Sequence, residues 1–214
     1  MYGLRGWKEH KSEIKGLRGR LGFPDGDALS FLGLRLSLID GSIYDELRDR
    51  KLNPSNPEEK ALIGAIYQIL SAYSKAEEKP LTGRLITSRQ ISGGQFCHIM
   101  VERAKRLLLD TFRDARELLE AARLIGGEEA KLDLEGAAIQ MRPLPLIPVV
   151  IIFRAGDEEF QAEISIFYDG NVEGYLDLEN LGILTLLSAI RLRDAHRKMR
   201  EKTLLELLSE HEKT

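Results

Sequence analysis

Three short apolar segments in the second half of the chain constrain its fold more than any other feature. Residues 149–153 are apolar at every position, which is typical of a central β-strand covered on both faces. Residues 160–167 alternate apolar with mostly polar side chains, as a strand covered on one face does, and residues 137–141 form a third segment. Turn residues at 143–145 and 156–159 separate the three segments. The sequence therefore predicts antiparallel strands at the heart of a sheet.

The remaining predicted elements are mostly helices, marked by capping residues or by an apolar period of 3.6. Helices are predicted over residues 57–73, 95–109, 111–125 and from 177 toward 199. A β-hairpin is predicted over residues 28–44 with its turn at Asp40-Gly41, and residues 81–88 fit either a strand or an extended segment. Together these patterns predict an α+β fold, in which an antiparallel sheet of about five strands packs against several helices and a long C-terminal helix.

Length and composition favour one domain. The chain has 214 residues, of which 43% are hydrophobic and 30% charged, an ordinary globular balance. We expect a single domain over residues 1–214, with residues 1–25 as a basic helix whose attachment is either firm or loose. The leucine-rich segment 203–208 either closes the core of the monomer or contacts a second copy, so the sequence is compatible with a monomer and with a homodimer.

The single cysteine, Cys97, restricts location and cofactors. It allows no internal disulfide and no multi-cysteine metal or iron–sulfur site within one chain, and it fits a reducing cytoplasm. The longest apolar run, residues 144–153, contains two prolines and falls far short of the roughly 20 residues of a spanning helix. We expect a cytoplasmic protein without membrane contact. The histidines show no metal-ligand spacing, and abundant Lys, Arg and Glu fits a thermophile.

Ser92-Gly93-Gly94-Gln95, at a predicted helix start, is the leading candidate for a binding site. The glycines leave backbone N–H groups free to point at an anion, as phosphate-binding loops do. The spacing lacks a full phosphate-loop fingerprint. Ser92 and Gln95 also fit a capping box that needs no ligand. The first interpretation predicts a non-catalytic binding or accessory domain for a small anionic ligand or cofactor.

Two charged regions supply the alternatives. Asp157, Glu159 and Glu163 concentrate carboxylates around a strand connection, which is either a solvated turn or, with Gln95, the acidic cleft of an enzyme. Basic residues gather near both ends of the chain: Lys8, Lys11, Lys15, Arg18, Arg191, Arg193, Arg197 and Lys198. If the two ends lie together, they predict an RNA- or ribosome-associated factor; otherwise they are ordinary solvated helix faces.

Several short segments resemble a domain-of-unknown-function family that is associated with anaerobic archaea and bacteria. They are Pro80-Leu81-Thr82-Gly83, Ile91-Ser92-Gly93-Gly94-Gln95-Phe96, Pro145-Leu146-Ile147-Pro148, Gly156-Asp157-Glu158-Glu159-Phe160-Gln161-Ala162, Phe167-Tyr168-Asp169 and Tyr175-Leu176. The resemblance implies no known activity, substrate or catalytic residue. Some members join an iron–sulfur segment to this domain, which implies redox or cofactor metabolism, but this chain has no such segment.

Overall fold

Five α-helices and two antiparallel sheets make up the part of the chain that the structure, a computed structural model, describes. That part comprises residues 6–91, 95–132 and 135–211, with only the backbone described for Phe96 and residues 204–211. The helices are α1 (Trp7–Lys15), α2 (Pro57–Tyr73), α3 (Gln95–Thr111), α4 (Ala115–Arg123) and α5 (Leu178–His211). The strands are β1 (Ala28–Phe31), β2 (Leu34–Ser37), β3 (Ile43–Asp45), β4 (Arg50–Lys51), β5 (Leu85–Ile86), β6 (Glu128–Ala130), β7 (Ala137–Leu144), β8 (Ile147–Arg154) and β9 (Glu163–Asp169). The predicted α+β class with a long C-terminal helix is confirmed.

The larger sheet has the strand order β5-β9-β8-β7-β6. Its central strand is β8, where Ile151 pairs with Ile139 of β7 and with Ile166 of β9. The three apolar segments thus form neighbouring antiparallel strands, as predicted. The edge strand β6 was not predicted, because its sequence, Glu-Glu-Ala, has no apolar alternation.

Strand β9 begins later in the chain than the sequence predicts. The Asp157 carboxylate accepts the N–H groups of Glu159 and Phe160, at 2.9 and 2.8 Å, and the Asp157 N–H donates to the Phe160 carbonyl at 2.9 Å. This turn keeps Phe160 out of the sheet and leaves it 70% exposed. The prediction of a strand from residue 160 is therefore wrong by three residues, and β9 begins at Glu163.

The smaller sheet replaces the single predicted hairpin with four strands in sequential order, β1 to β4. An additional turn at Leu32-Gly33 joins β1 to β2, with φ of 52° and 66° at the two residues. Two consecutive positive φ values are typical of the tight turns that join antiparallel strands. The sequence concealed this turn because leucine rarely adopts a positive φ, so Leu32 fitted the strand alternation instead.

Capping residues fix the helix starts. The Asn56 side chain accepts the N–H groups of Glu58 and Glu59, so α2 begins at Pro57 as predicted. The Asp114 side chain accepts the N–H of Glu117, which starts α4 four residues later than the predicted 111. Within the described residues, no helix is both long and apolar enough to cross a membrane.

One hydrophobic core connects the sheets and the helices. α5 packs along α3, where Gly182 leaves room for a close approach, since a Cβ there would lie 3.1 Å from Cys97 Cα. Ile14, Leu17 and Leu21 are buried in the same core. This burial places the segment that follows α1 firmly against the rest of the protein.

Candidate anion-binding site

A buried ion pair fastens α5 to the smaller sheet. Arg191, fully buried, donates from its two terminal nitrogens to the Asp45 carboxylate at 2.9 and 2.7 Å. It also donates to the carbonyls of Leu32 and Gly33, at 3.0 and 3.2 Å. Arg191 was expected among the nucleic-acid contacts, but its donors are directed at groups inside the protein. The positive-φ turn of the smaller sheet is what presents those two carbonyls.

A second, more exposed network lies beside the first. Arg50 donates to both oxygens of Glu59, at 3.1 and 2.6 Å, and Glu59 also accepts the N–H of Asn53. These contacts, the Arg50 hydrogen bond first, lower the pKa of Glu59 to about 2. Arg48 donates to Asp194 at 3.1 Å and lies 3.8 Å from Glu59. Glu59 is therefore ionised and neutralised by its arginines at neutral pH.

A cavity of about 360 Å³, here called the basic pocket, opens at this network. Its lining is Leu47, Arg48, Arg50, Asp194, Arg197, Lys198 and Glu201. Arg48 and Arg193 both bond Asp194, so this carboxylate is already neutralised. Arg197 is exposed and forms no hydrogen bond or ion pair with the described residues. The pocket thus carries four cationic side chains, of which Arg197 bonds to none of the described residues.

A second cavity of about 370 Å³, here called the apolar groove, runs between α2 and α5. Its apolar wall consists of Ala61, Leu62, Ala65, Ile183, Leu186, Leu187 and Ile190. Its polar end consists of Arg48, Asn56, Glu58, Glu59, Arg193 and Asp194. Arg48 and Asp194 line both cavities. The Nε of Arg193 is buried and has no acceptor among the described residues.

Comparison with known proteins shows the family of the chain but no function. A family model described as "Domain of unknown function (DUF3786)" matches residues 48–190. The chain belongs to the DUF3786 family. No curated protein and no solved structure matches the chain. The matched range of DUF3786 begins at Arg48 and ends just before Arg191, so the basic pocket combines residues from within the range with Arg197 and Lys198 beyond it.

Two of the segments that carry the resemblance meet at Asp169 in this DUF3786 domain. The Asp169 carboxylate accepts the N–H groups of Thr82, Gly83 and Asn171, at 3.0, 2.8 and 3.1 Å. Burial disfavours the charged form, but these donors outweigh it and lower the pKa of Asp169. The Tyr175 hydroxyl holds the same segment by donating to the Lys79 carbonyl at 2.7 Å. These contacts give the motif residues a structural role.

The predicted anion site of the DUF3786 chain is only partly described. Gln95 is the exposed first residue of α3, whereas Ser92, Gly93 and Gly94 lie outside the described residues. Cys97 on the same helix is fully buried, and burial raises the pKa of its thiol to about 11. A thiol with such a pKa is protonated at neutral pH, so Cys97 is a structural residue rather than a nucleophile.

One polar contact near this helix start was not expected from the sequence. The Ser88 hydroxyl lies 3.3 Å from Nδ1 of His98, and a Glu102 carboxylate oxygen lies 3.9 Å from the same nitrogen. A nucleophile–base–acid relay uses both ring nitrogens, one for each partner. Ser88 and Glu102 approach a single nitrogen, so their arrangement does not activate the serine. His98 lies ten positions after Ser88, and no local motif marks the pair.

The acidic residues are exposed, and the carboxylates of Asp157 and Glu163 are engaged in local contacts. Glu163 accepts a hydrogen bond from Arg154 at 3.0 Å, directly across the strand pair β8 and β9. Asp157 caps the turn described above, and its two backbone donors lower its pKa. None of Asp157, Glu159, Glu163 and Gln95 lines the basic pocket or the apolar groove. Within the described residues, no group of three or more His, Cys, Asp and Glu is arranged to hold a metal ion.

The two basic segments lie at different ends of α5. Residues of α1 share a third cavity with Asn180, near the start of α5, and Glu13 of α1 pairs with Lys75 at 3.2 Å. Arg197 lies seventeen residues after Asn180, which corresponds to about 25 Å along a helix. Lys8, Lys11 and Lys15 on α1 are exposed, and Arg18 pairs with Asp25 and Asp27. The structure therefore does not bring the α1 lysines beside Arg197 and Lys198.

Proposed function

We propose that this protein is a non-catalytic binding domain that takes a small anionic ligand in the basic pocket. The observation that carries the proposal is Arg197, an exposed cation at a pocket of suitable size that is bonded to no described residue. Arginine presents a planar set of donors that matches carboxylate and phosphate oxygens. Among the described residues, the neighbouring Lys198 donates to the Glu46 carbonyl alone, at 3.3 Å, and its charge also favours an anion.

The carboxylates in the lining do not oppose this ligand strongly. Asp194 bonds Arg48 and Arg193, so its charge is neutralised within the protein. Glu201, the last of the lining residues along the chain, is exposed, so water screens its charge. Arg48 and Arg50 are paired with Asp194 and Glu59, so the positive charge left for a ligand comes from Arg197 and Lys198, against Glu201. The excess is modest, which suits a small ligand rather than a long polyanion.

The class of ligand is the one expected from the sequence, but the proposed place differs. The Gly93-Gly94 helix start remains a second candidate position for the anion, since it lies outside the described residues. RNA or ribosome association has less support, because the α1 lysines and the Arg197 end of α5 lie far apart along the helix. An acidic enzyme cleft has less support too, because Glu163 and Asp157 are engaged in local contacts.

The test is calorimetric titration of the purified protein with inorganic phosphate and pyrophosphate at low ionic strength. Arg197→Glu should weaken binding by about tenfold or more, since a hydrogen bond to a charged group contributes about 1.5–3 kcal/mol. Arg200→Glu is the matched control, because Arg200 is exposed on the same helix and lines neither cavity. The control should bind both anions nearly as the wild type does.

The same titration separates the two positions. If Arg197→Glu binds phosphate normally while Gly94→Val does not, the anion binds at the Gly93-Gly94 helix start instead. If neither anion binds the wild type, the proposed function is wrong. Binding of total RNA that weakens steeply with salt would favour the RNA-associated factor, because Lys and Arg contacts to a phosphate backbone release counterions.

A further inference from the structure

We propose that the ligand is a free single-chain amphiphile, whose anionic head occupies the basic pocket and whose apolar tail occupies the apolar groove. The inference rests on the proposed function, because it assumes that the basic pocket binds an anion. It adds the chemical class of the rest of the ligand. The observations behind it are the shared lining of the two cavities, the apolar stripes on both helices and the positive charge of Arg193 at one end of the groove.

The two cavities are neighbours, and the Arg48–Asp194 ion pair, 3.1 Å long, lies where they adjoin. Arg48 and Asp194 belong to both linings, so the proposed ligand, bound at Arg197, would pass this pair to place its tail in the apolar groove. Each cavity has a volume in the range of small-molecule pockets, about 300–1,000 Å³. An anion alone fills only the basic pocket, whereas an elongated molecule fills both.

The groove presents helical apolar stripes that the protein itself does not cover. On α5, Ile183, Leu186 and Ile190 recur at spacings of three and four and are only partly buried. On α2, Leu62 and Ala65 face them at a spacing of three and are also only partly buried. A hydrocarbon tail would remove this surface from water, and the gain scales with the apolar area covered.

The charges decide which end of the tail carries the head. The polar groups of the groove lie together at the end near Arg48, and Arg193 holds a buried Nε donor there without an acceptor among the described residues. The Arg193 side chain as a whole is 38% exposed, and its positive charge at this end favours the anionic head over the tail. The opposite part of the groove wall, around Ile183 and Leu62, is apolar. An amphiphile with one anionic end matches this polarity.

The experiment compares inorganic phosphate with butyl, hexyl and octyl phosphate, all below their micelle concentrations, and with octanol. Each methylene that enters the groove is expected to raise affinity about threefold to fourfold, until the groove is full. Octanol should bind much more weakly than octyl phosphate, because it lacks the charge. Equal affinity for inorganic phosphate and octyl phosphate would overturn the inference while leaving the proposed function intact.

A variant pair locates the tail. Ala61→Trp places a large side chain on the exposed wall of the groove and should abolish the gain with chain length, with phosphate binding unchanged. Lys60→Trp, at an exposed neighbouring position outside the lining, should keep the gain. If Ala61→Trp retains the full dependence on chain length, the tail binds elsewhere and the inference is wrong. Binding to anionic phospholipid vesicles without binding of free octyl phosphate would also overturn it.

Discussion

Two arginine–carboxylate pairs with nearly the same bonding lie side by side in this protein but differ in exposure. Arg191 and Asp45 are both fully buried, whereas the side chains of Arg50 and Glu59 are 47% and 11% exposed. Each arginine donates from both terminal nitrogens to its carboxylate. Burial rather than bonding therefore decides what each pair does. The first fixes α5 to the smaller sheet, and the second shapes an open pocket.

The difference has an energetic basis. Two charges inside the protein lose their hydration, and only complete mutual bonding compensates for that loss. The carbonyls of Leu32 and Gly33 complete the bonding of Arg191. Arg50 keeps part of its hydration, so its pair with Glu59 contributes less and can reorganise at smaller cost. The most sensitive substitution should then lie at the buried pair.

Arg191→Met should have the largest effect. It leaves Asp45 charged and buried without its main partner, and the free energy of unfolding should fall by about 3–5 kcal/mol. Urea denaturation followed by circular dichroism measures the loss, with Arg200→Met as the exposed control on the same helix. Arg191→Met combined with Asp45→Asn should recover part of the stability, since no buried charge is then unpaired. A loss below about 1 kcal/mol in the single variant would contradict the assignment.

Glu59→Gln should have a smaller effect, of about 1.5 kcal/mol, because it removes a charged acceptor from Arg50, which water can still solvate. The same denaturation assay measures it. Glu58→Gln is the control, since Glu58 neighbours Glu59 on α2 and is exposed. If Glu59→Gln lowers the free energy of unfolding as much as Arg191→Met does, the buried and the exposed pair do not differ in their contribution to stability.

The exposed network should also respond to acid. The pKa of Glu59 lies at about 2, below its ordinary value of 4.5, so the folded state takes up the proton less readily than the unfolded state. Its contribution is therefore present above about pH 4.5 and is lost as the pH falls toward 2. The stability difference between wild type and Glu59→Gln should shrink over this interval. A difference that stays constant from pH 6 to pH 2.5 would show that Glu59 is not held charged.

The sequence predicted the larger elements because their signals are local. The apolar periodicity and the capping residues located α2 and the three central strands. The predicted ends of elements were wrong where a side chain such as Asp157 caps a turn. The smaller sheet was only half predicted, because the turn at Leu32 depends on a positive φ that leucine rarely adopts. Arg48 lies 3.6 Å from the Asp45 carboxylate that Arg191 also bonds, and nothing in the local sequence could indicate this, because 143 positions separate the two arginines.

The candidate site was less predictable for the same reason. Arg197 and Lys198 were singled out as basic residues, but the other cations of the pocket are distant in sequence: Arg48 lies in the turn before β4 and Arg50 begins β4. Arg191 has the same residue type and lies on the same helix as Arg197, yet it is buried and Arg197 is exposed. The helical period places Arg191 and Arg197 on different faces of α5. Which of these faces is buried is decided by the packing of the smaller sheet against the helix.

Lys198→Ala should have the smallest effect on stability, and it separates the role of the exposed pocket from that of the buried pair. Lys198 is exposed and makes one hydrogen bond within the described part of the chain, at 3.3 Å to the Glu46 carbonyl, so the free energy of unfolding should change by less than about 0.5 kcal/mol. The affinity for phosphate should fall by about threefold, as expected for the loss of a partly screened charge near an anion. Denaturation and calorimetry on the same preparation measure both. A variant that loses stability but not affinity would place Lys198 with the buried pair, as part of the scaffold, and would leave Arg197 to bind the anion without it.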